Sequence, residues 1–318
     1  MSAAARRARV TALAKLNLDL RVLYRRPDNY HELRTVFQTI SLGDRLEIAF
    51  TPGRKTSIQL EDDLHIPDNL VVRAANLAMR EMRVAGRVEM RLEKRVPMGG
   101  GLGGGSSDAA AVLLALPVLA GRIISLPRLI TLAAQLGSDV AFFLLGGTAA
   151  GIGRGSELLP LADAAARRGV LVSTGLHVST AAAYAALGPR LTTESQQNKI
   201  VSFQSRLWSG GRSRALEDGS NDFESVVFTQ HPKLASIKRK LQKSGAKPAM
   251  MTGSGSALFG LFQTREEVSR AIQEIDTGEE QIFPISLVSR SQYQAMWWRE
   301  LDAHMEEKRW PPRSRYVR

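Results

Sequence analysis

The chain has no cysteine, so neither a disulfide framework nor a thiolate zinc site is open to it. Aromatic residues make up only 6%, and no aromatic-rich RNA-binding motif accompanies the basic residues. Long apolar runs are also missing. The richest, Ala109 to Ala120, is broken by Pro117 and falls short of the roughly 18 residues a membrane helix needs. The basic start, Met1 to Arg9, leads into no clean apolar segment, because Lys15, Asn17 and Asp19 interrupt it. A signal peptide is therefore not expected, and a cytoplasmic setting is the default. There are five histidines, and His65, His177, His231 and His304 show no ligand spacing, so no protein-held metal site is expected.

What is present is ordinary for a large folded protein. The 318 residues, 44% apolar and 23% charged, point to about two domains with a substantial core. Lys and Arg number 43 against 31 Asp and Glu, a net charge of +12 that favours acidic partners such as phosphates and nucleotides. The positive residues are scattered, with modest clusters at Arg6–Arg9, Lys238–Lys243 and Lys308–Arg318. That is the pattern of a solvated surface. No fixed-period repeat is present.

Periodicity and turn formers predict strands over Val10–Val22, Leu33–Ile40, Asp44–Phe50 and Val88–Leu92, with helices over Asn69–Met82, Ser106–Ala120 and Pro127–Leu136. In the second half, strands are predicted at Gly169–Ser173, Ala249–Met251, Ala257–Phe262 and Ile282–Val288. Helices are predicted at Thr180–Leu187, Phe223–Phe228, Pro232–Lys243 and Glu266–Ile275. Gly146–Gly155 reads as loop or strand, Thr192–Gly219 as partly irregular, and Met296–Arg318 as an appended helix with a loose tail. Strands and helices mix without strict alternation, which predicts an α+β fold.

Pro97-Met98-Gly99-Gly100-Gly101-Leu102-Gly103-Gly104-Gly105-Ser106-Ser107 is the most informative stretch. Glycines let the backbone approach a ligand closely. The helix they open into starts with unpaired N–H groups and partial positive charge, so the stretch is suited to cradle a nucleotide's phosphates. The two serines add hydroxyls for a phosphate or a magnesium ion. No Lys-Ser or Lys-Thr follows the last glycine, which excludes a Walker A loop.

Seven stretches carry a family resemblance: Ala14–Leu18, Asn29–Leu33, Asp44, Pro97–Ser107, Gly137–Val140, Asn221–Glu224 and Thr252–Ser256. They make the chain resemble the galactokinase, homoserine kinase, mevalonate kinase and phosphomevalonate kinase superfamily. Tyr30-His31-Glu32-Leu33 and the doubled glycine run narrow the likeness to the branch acting on 4-diphosphocytidyl-2-C-methyl-D-erythritol in the non-mevalonate isoprenoid pathway. The resemblance covers about residues 10–290. It implies an N-terminal domain like ribosomal protein S5 domain 2 (1–161) and a ferredoxin-like C-terminal domain (162–290), with the active site between them and a basic tail (291–318) beyond. It also implies ATP with Mg2+, transfer of the γ-phosphate to the substrate 2-hydroxyl, and a small molecule as partner. No membrane or specific nucleic acid is implied, and a monomer or homodimer is expected.

The site residues follow from the same resemblance. A lone lysine such as Lys15 ordinarily snorkels to the surface; the resemblance makes it catalytic, stabilising charge on the transferred phosphoryl group. An aspartate after Gly-Ser ordinarily caps a helix; the resemblance makes Asp139 the base that takes the acceptor hydroxyl's proton, close to Lys15. Tyr30 and His31 fall at the cytidine end. Asn17 holds substrate or the catalytic pair, Thr180 and Tyr184 lie in a segment closing over the cytidine, and Gly253 and Ser254 belong to a second glycine loop. Lys94 is expected near the nucleotide. Two positions depart from the pattern, Leu13 and Ala141, each replacing a proline. A homoserine- or mevalonate-type kinase, or a non-catalytic nucleotide- or nucleic-acid-binding relative, are the alternatives.

Overall fold

The computed structural model describes residues 4–188, 193–208, 219–275 and 279–317. A first sheet of six strands is built around one very long strand, β2 (His31–Pro52). It pairs antiparallel along its length with β1 (Arg6–Arg25). Its first half also pairs with β5 (Thr148–Gly153) and its second half with β4 (Gly86–Glu93). β3 (Ser57–Asp62) joins β4 in parallel, and β6 (Glu157–Pro160) closes the other edge. The two strands expected at Leu33–Ile40 and Asp44–Phe50 are thus one. They run on because Gly43 leaves room for the Ala12 carbonyl, 2.8 Å from where its Cβ would stand.

Helix α2 (Gly104–Ala120) lies under this sheet, buried from Ser107 to Ala120. Its alanines allow close approach to β1 and to α1 (Leu70–Met82) and α3 (Leu126–Leu136), which sandwich it into the larger core. The short α4 (Val140–Phe143) adds Phe142 and Phe143 to the same core.

The second sheet has four antiparallel strands in the order β10 (Gln281–Ser286), β7 (Arg168–Ser173), β9 (Leu258–Phe262) and β8 (Ala249–Met251). Around it lie α5 (Thr180–Leu187), α7 (Glu224–Gln230), α8 (Pro232–Lys243) and α9 (Arg265–Ile275). The stretch expected to be partly irregular carries helix α6 (Thr193–Trp208); residues 209–218 lie outside the described residues. The expected α+β class with two sheets is what the chain adopts.

β1 joins the two halves. From Ala12 to Leu20 it is buried on both faces, with Val10, Ala12 and Leu13 against α2 and Ala14, Leu16 and Leu18 against the second sheet. Register shifts after Leu13 and Asn17 re-phase its side chains. Through the first of them the Lys15 N–H leaves β2 and donates to the Leu102 carbonyl of the glycine stretch, at 3.0 Å.

The segment after 290 is not loose. Helix α10 (Arg290–Glu300) starts with a capping box at Ser289 and Gln292. Tyr293, Trp297 and Leu301 are fully buried in the first core, and Met305 and Trp310 pack against it. The basic residues Arg299, Lys308, Arg309, Arg313 and Arg315 stay exposed, while Arg290 turns inward and donates to the Thr148 and Leu161 carbonyls.

Candidate active site

Lys15 is 3% exposed, and its Nζ donates to Asn17 Oδ1 at 2.6 Å and to the Gly101 carbonyl at 2.7 Å. The Asp139 carboxylate lies 3.8 Å away. Burial pulls the Lys15 ammonium below the ordinary lysine range, and the neighbouring Asp139 charge works against that pull. Asp139 occupies the N-cap position of α4 but makes no side-chain capping bond. Its carboxylate is a third exposed and faces a cavity of about 970 Å3.

That cavity lies between β1, β2 and α5, and brings together Lys15, Asn17, Tyr30, His31, Asp139, Thr180, Tyr184, Gly253 and Ser254. At its far end His31 stacks on Tyr184 with ring centroids 4.5 Å apart, and Tyr184 meets Phe223 edge-on at 4.8 Å. Burial, with Arg25 nearby, lowers the His31 pKa and keeps the imidazole neutral at pH 7. Tyr30 stands at the rim, 55% exposed, with the Arg154 guanidinium 3.8 Å over its ring. Thr180 and Ser254 share a hydrogen bond of 2.8 Å across the mouth.

The two glycine segments touch. A Cβ on Gly101 would stand 2.3 Å from the Thr252 carbonyl, and φ there is +74°. Asn17 ties the seam: its Oδ1 accepts from the Gly253 N–H at 2.9 Å and from Lys15, and its Nδ2 donates to Thr35 at 2.8 Å. Its side chain is thus spent on protein, holding Lys15 and the second loop.

Gly99, Gly101 and Gly103 all have positive φ, and Gly103 caps α2 from the left-handed region. The loop from Pro97 to Gly105 lines a second cavity of about 270 Å3 with Asn69, Lys94 and Asp108. Of the two serines only Ser106 reaches outward; Ser107 is buried and donates to the Leu13 carbonyl at 2.7 Å, because the helix turns it toward β1. Lys94 is held from below by two carboxylates, Asp44 at 2.5 Å and Asp108 at 2.8 Å. Burial would lower Lys94, but the two anions win and raise it. Burial, then Asp44, pushes the Asp108 carboxyl up to about 8. Among the described residues no three His, Asp or Glu side chains gather as a metal cage. A magnesium ion fits here only as one carried on phosphates.

Arg25, Arg154 and Phe223 line the substrate-sized cavity without having been singled out in the sequence. Phe223 lay inside the matched Asn221–Glu224 stretch, a signal that was available. Arg154 had none beyond its glycine-rich surroundings.

A glycine cradle at a buried helix and a lysine–aspartate pair at the seam of two α/β layers define a small-molecule kinase. Residues 69–147 match the GHMP kinases N terminal domain and residues 209–279 the GHMP kinases C terminal domain. A curated 4-diphosphocytidyl-2-C-methyl-D-erythritol kinase from Solibacter usitatus is 62% identical over 315 residues, covering 98% of both chains. One from Pelotomaculum thermopropionicum is 40% identical over 279 residues, covering 86% of this chain and 96% of its own. A crystal structure of 4-(cytidine 5'-diphospho)-2C-methyl-D-erythritol kinase superposes with a TM-score of 0.73 at 35% identity, over 88% of this chain and 98% of that one. Homoserine kinase from Cytophaga hutchinsonii shares the fold, with a TM-score of 0.70 at 17% identity over 90% of this chain and 96% of that one. The chain belongs to the 4-diphosphocytidyl-2-C-methyl-D-erythritol kinase family of the GHMP kinases. No helix among the described residues is long and apolar enough to cross a membrane.

Proposed function

We propose that the chain transfers the γ-phosphoryl group of ATP to the 2-hydroxyl of 4-diphosphocytidyl-2-C-methyl-D-erythritol. The observation that carries this is the Lys15–Asp139 pair, 3.8 Å apart, on the wall of a cavity that runs from the glycine loop to the His31–Tyr184 stack. Kinship with enzymes of that name supplies the substrate. Asp139 accepts the hydroxyl proton as the oxygen attacks phosphorus and the bond to ADP breaks. Lys15, pinned by Asn17 and Gly101, offers its ammonium to the charge that develops on the transferred group. The backbone N–H groups from Gly99 to Gly105 hold the nucleotide phosphates. Bound magnesium would add charge neutralisation between those phosphates. His31, neutral, both donates and accepts at a base edge, and the aromatic wall of Tyr184 and Phe223 excludes water around it. The setting is the cytoplasm and the partners are small molecules.

Product mass after incubation with ATP, magnesium and the diphosphocytidyl alcohol tests this reading. One added phosphoryl group, absent with Asp139→Asn, is the expected result. Equal turnover of mevalonate or homoserine would overturn the substrate assignment.

A further inference from the structure

The segment after residue 290 reaches both elements that carry the lysine–aspartate pair. Helix α4, which begins beside Asp139, has only four residues. A helix that short does not hold its own place; the N–H groups of Leu144 to Gly146 bond its Ala141 and Phe142 carbonyls, which leaves those of Phe143 and Leu144 for other donors. Two side chains of the C-terminal segment take them. The Tyr293 hydroxyl donates to the Phe143 carbonyl at 2.6 Å, and the Trp310 indole N–H donates to the Leu144 carbonyl at 2.9 Å. Gly146 makes this possible: its missing Cβ would overlap the Tyr293 ring, 2.3 Å away. On its opposite side α4 presses Phe143 against the glycine loop, with the ring 2.9 Å from where a Gly103 Cβ would be. A third side chain reaches the strand that carries the other member of the pair. Glu300 accepts from the Thr11 N–H at 3.0 Å and from its hydroxyl at 2.7 Å, four residues before Lys15 on β1.

We propose that the C-terminal segment is a brace that sets the Lys15–Asp139 geometry, with Tyr293 and Trp310 as positioning residues acting through α4 and Glu300 acting through β1. This rests on the kinase reading above. None of the three lines the substrate cavity; their effect passes through the backbone of Val140–Leu144 and through Thr11.

The test compares steady-state kinetics and amide hydrogen exchange for Tyr293→Phe, Trp310→Phe, the double variant and Trp298→Phe, all in the full chain. Phenylalanine keeps the ring and removes only the donor. Trp298 is the control, because its indole N–H donates within the segment, to the Arg309 carbonyl, and not to α4. The double variant is expected to lose about tenfold in kcat while KM for both substrates stays within about twofold, as a misplaced but intact pair requires. Exchange across residues 140–146 speeds up in the double variant, and Trp298→Phe stays at the wild-type rate. Unchanged kcat in the double variant overturns the proposal, as does an equal loss in Trp298→Phe, which would mean general loosening of the segment. If the wild type phosphorylates no diphosphocytidyl alcohol, the kinase reading falls, and exchange at 140–146 alone decides whether the brace exists.

Discussion

At the residue scale the site turns on where one ammonium and one carboxylate are held. Asp139→Asn keeps the shape and removes the base, so kcat falls by about a hundredfold or more while cytidine-ligand affinity changes little. Retention of a tenth of the activity would refute the role. Lys15 carries its own pH signature. Its pKa lies below the ordinary 10.5 because it is buried, so the alkaline limb of activity arrives earlier than for a free lysine. The sign for stability follows. Between the folded and unfolded values the unfolded chain binds more protons, so this group's contribution to stability rises with pH through that window. Lys15→Met removes both the limb and that slope, read by rate–pH and melting–pH profiles. Lys15 and Asp139 were singled out in the sequence through the family motifs they sit in, and the fold brings the two within 3.8 Å of each other. Arg154 was not. Its place over Tyr30 depends on β5 returning beside β2, a pairing more than a hundred residues apart in the chain that no local pattern announces.

At the element scale the two glycine segments work by contact. Gly101→Ala meets the Thr252 carbonyl and a φ of +74° together, and the backbone conformation alone costs about 1–3 kcal/mol. The seam must open, so activity is expected to vanish and the melting temperature to fall; an active, equally stable variant would contradict the packing. Under the loop, Asp44, Lys94 and Asp108 share one cation between two carboxylates. The Asp108 carboxyl, ordinarily at 3.8, is raised to about 8. The folded state therefore holds an extra proton between those values, and stability declines as pH rises across them. Asp108→Asn, which mimics the protonated form, should flatten that decline; parallel melting–pH curves would show that the proton is not there. The glycine loop and its helix were readable from residue types alone. The burial of Ser107 and the capture of Lys94 were not, since both depend on which face of α2 turns toward β1. Likewise, the union of two expected strands into β2 hinges on one small residue, Gly43, opposite Ala12.

At the scale of the whole molecule, the segment beyond 290 is a structural part of the first layer. Deleting it strips Tyr293, Trp297 and Leu301 from the core. Each large buried side chain contributes about 1.5–3 kcal/mol, so together they are comparable to the stability of an ordinary domain. The truncated chain is expected in the insoluble fraction, or melting far below the full chain; a soluble, equally stable product would contradict this packing. The sequence reading missed it because two adjacent tryptophans among charged residues show no clear helical stripe, and the surface that receives them is made by other elements. This docking also sets an order of events at synthesis. His304 bonds the carbonyl of Arg7, 297 residues upstream, and Arg6 lies under the ring of Tyr316. At a translation rate of about 5–20 residues per second, the opening strand waits roughly 15–60 s for these partners to leave the ribosome. The first half of the chain is therefore made with that flank uncovered, and it is closed only once the segment beyond 290 has followed.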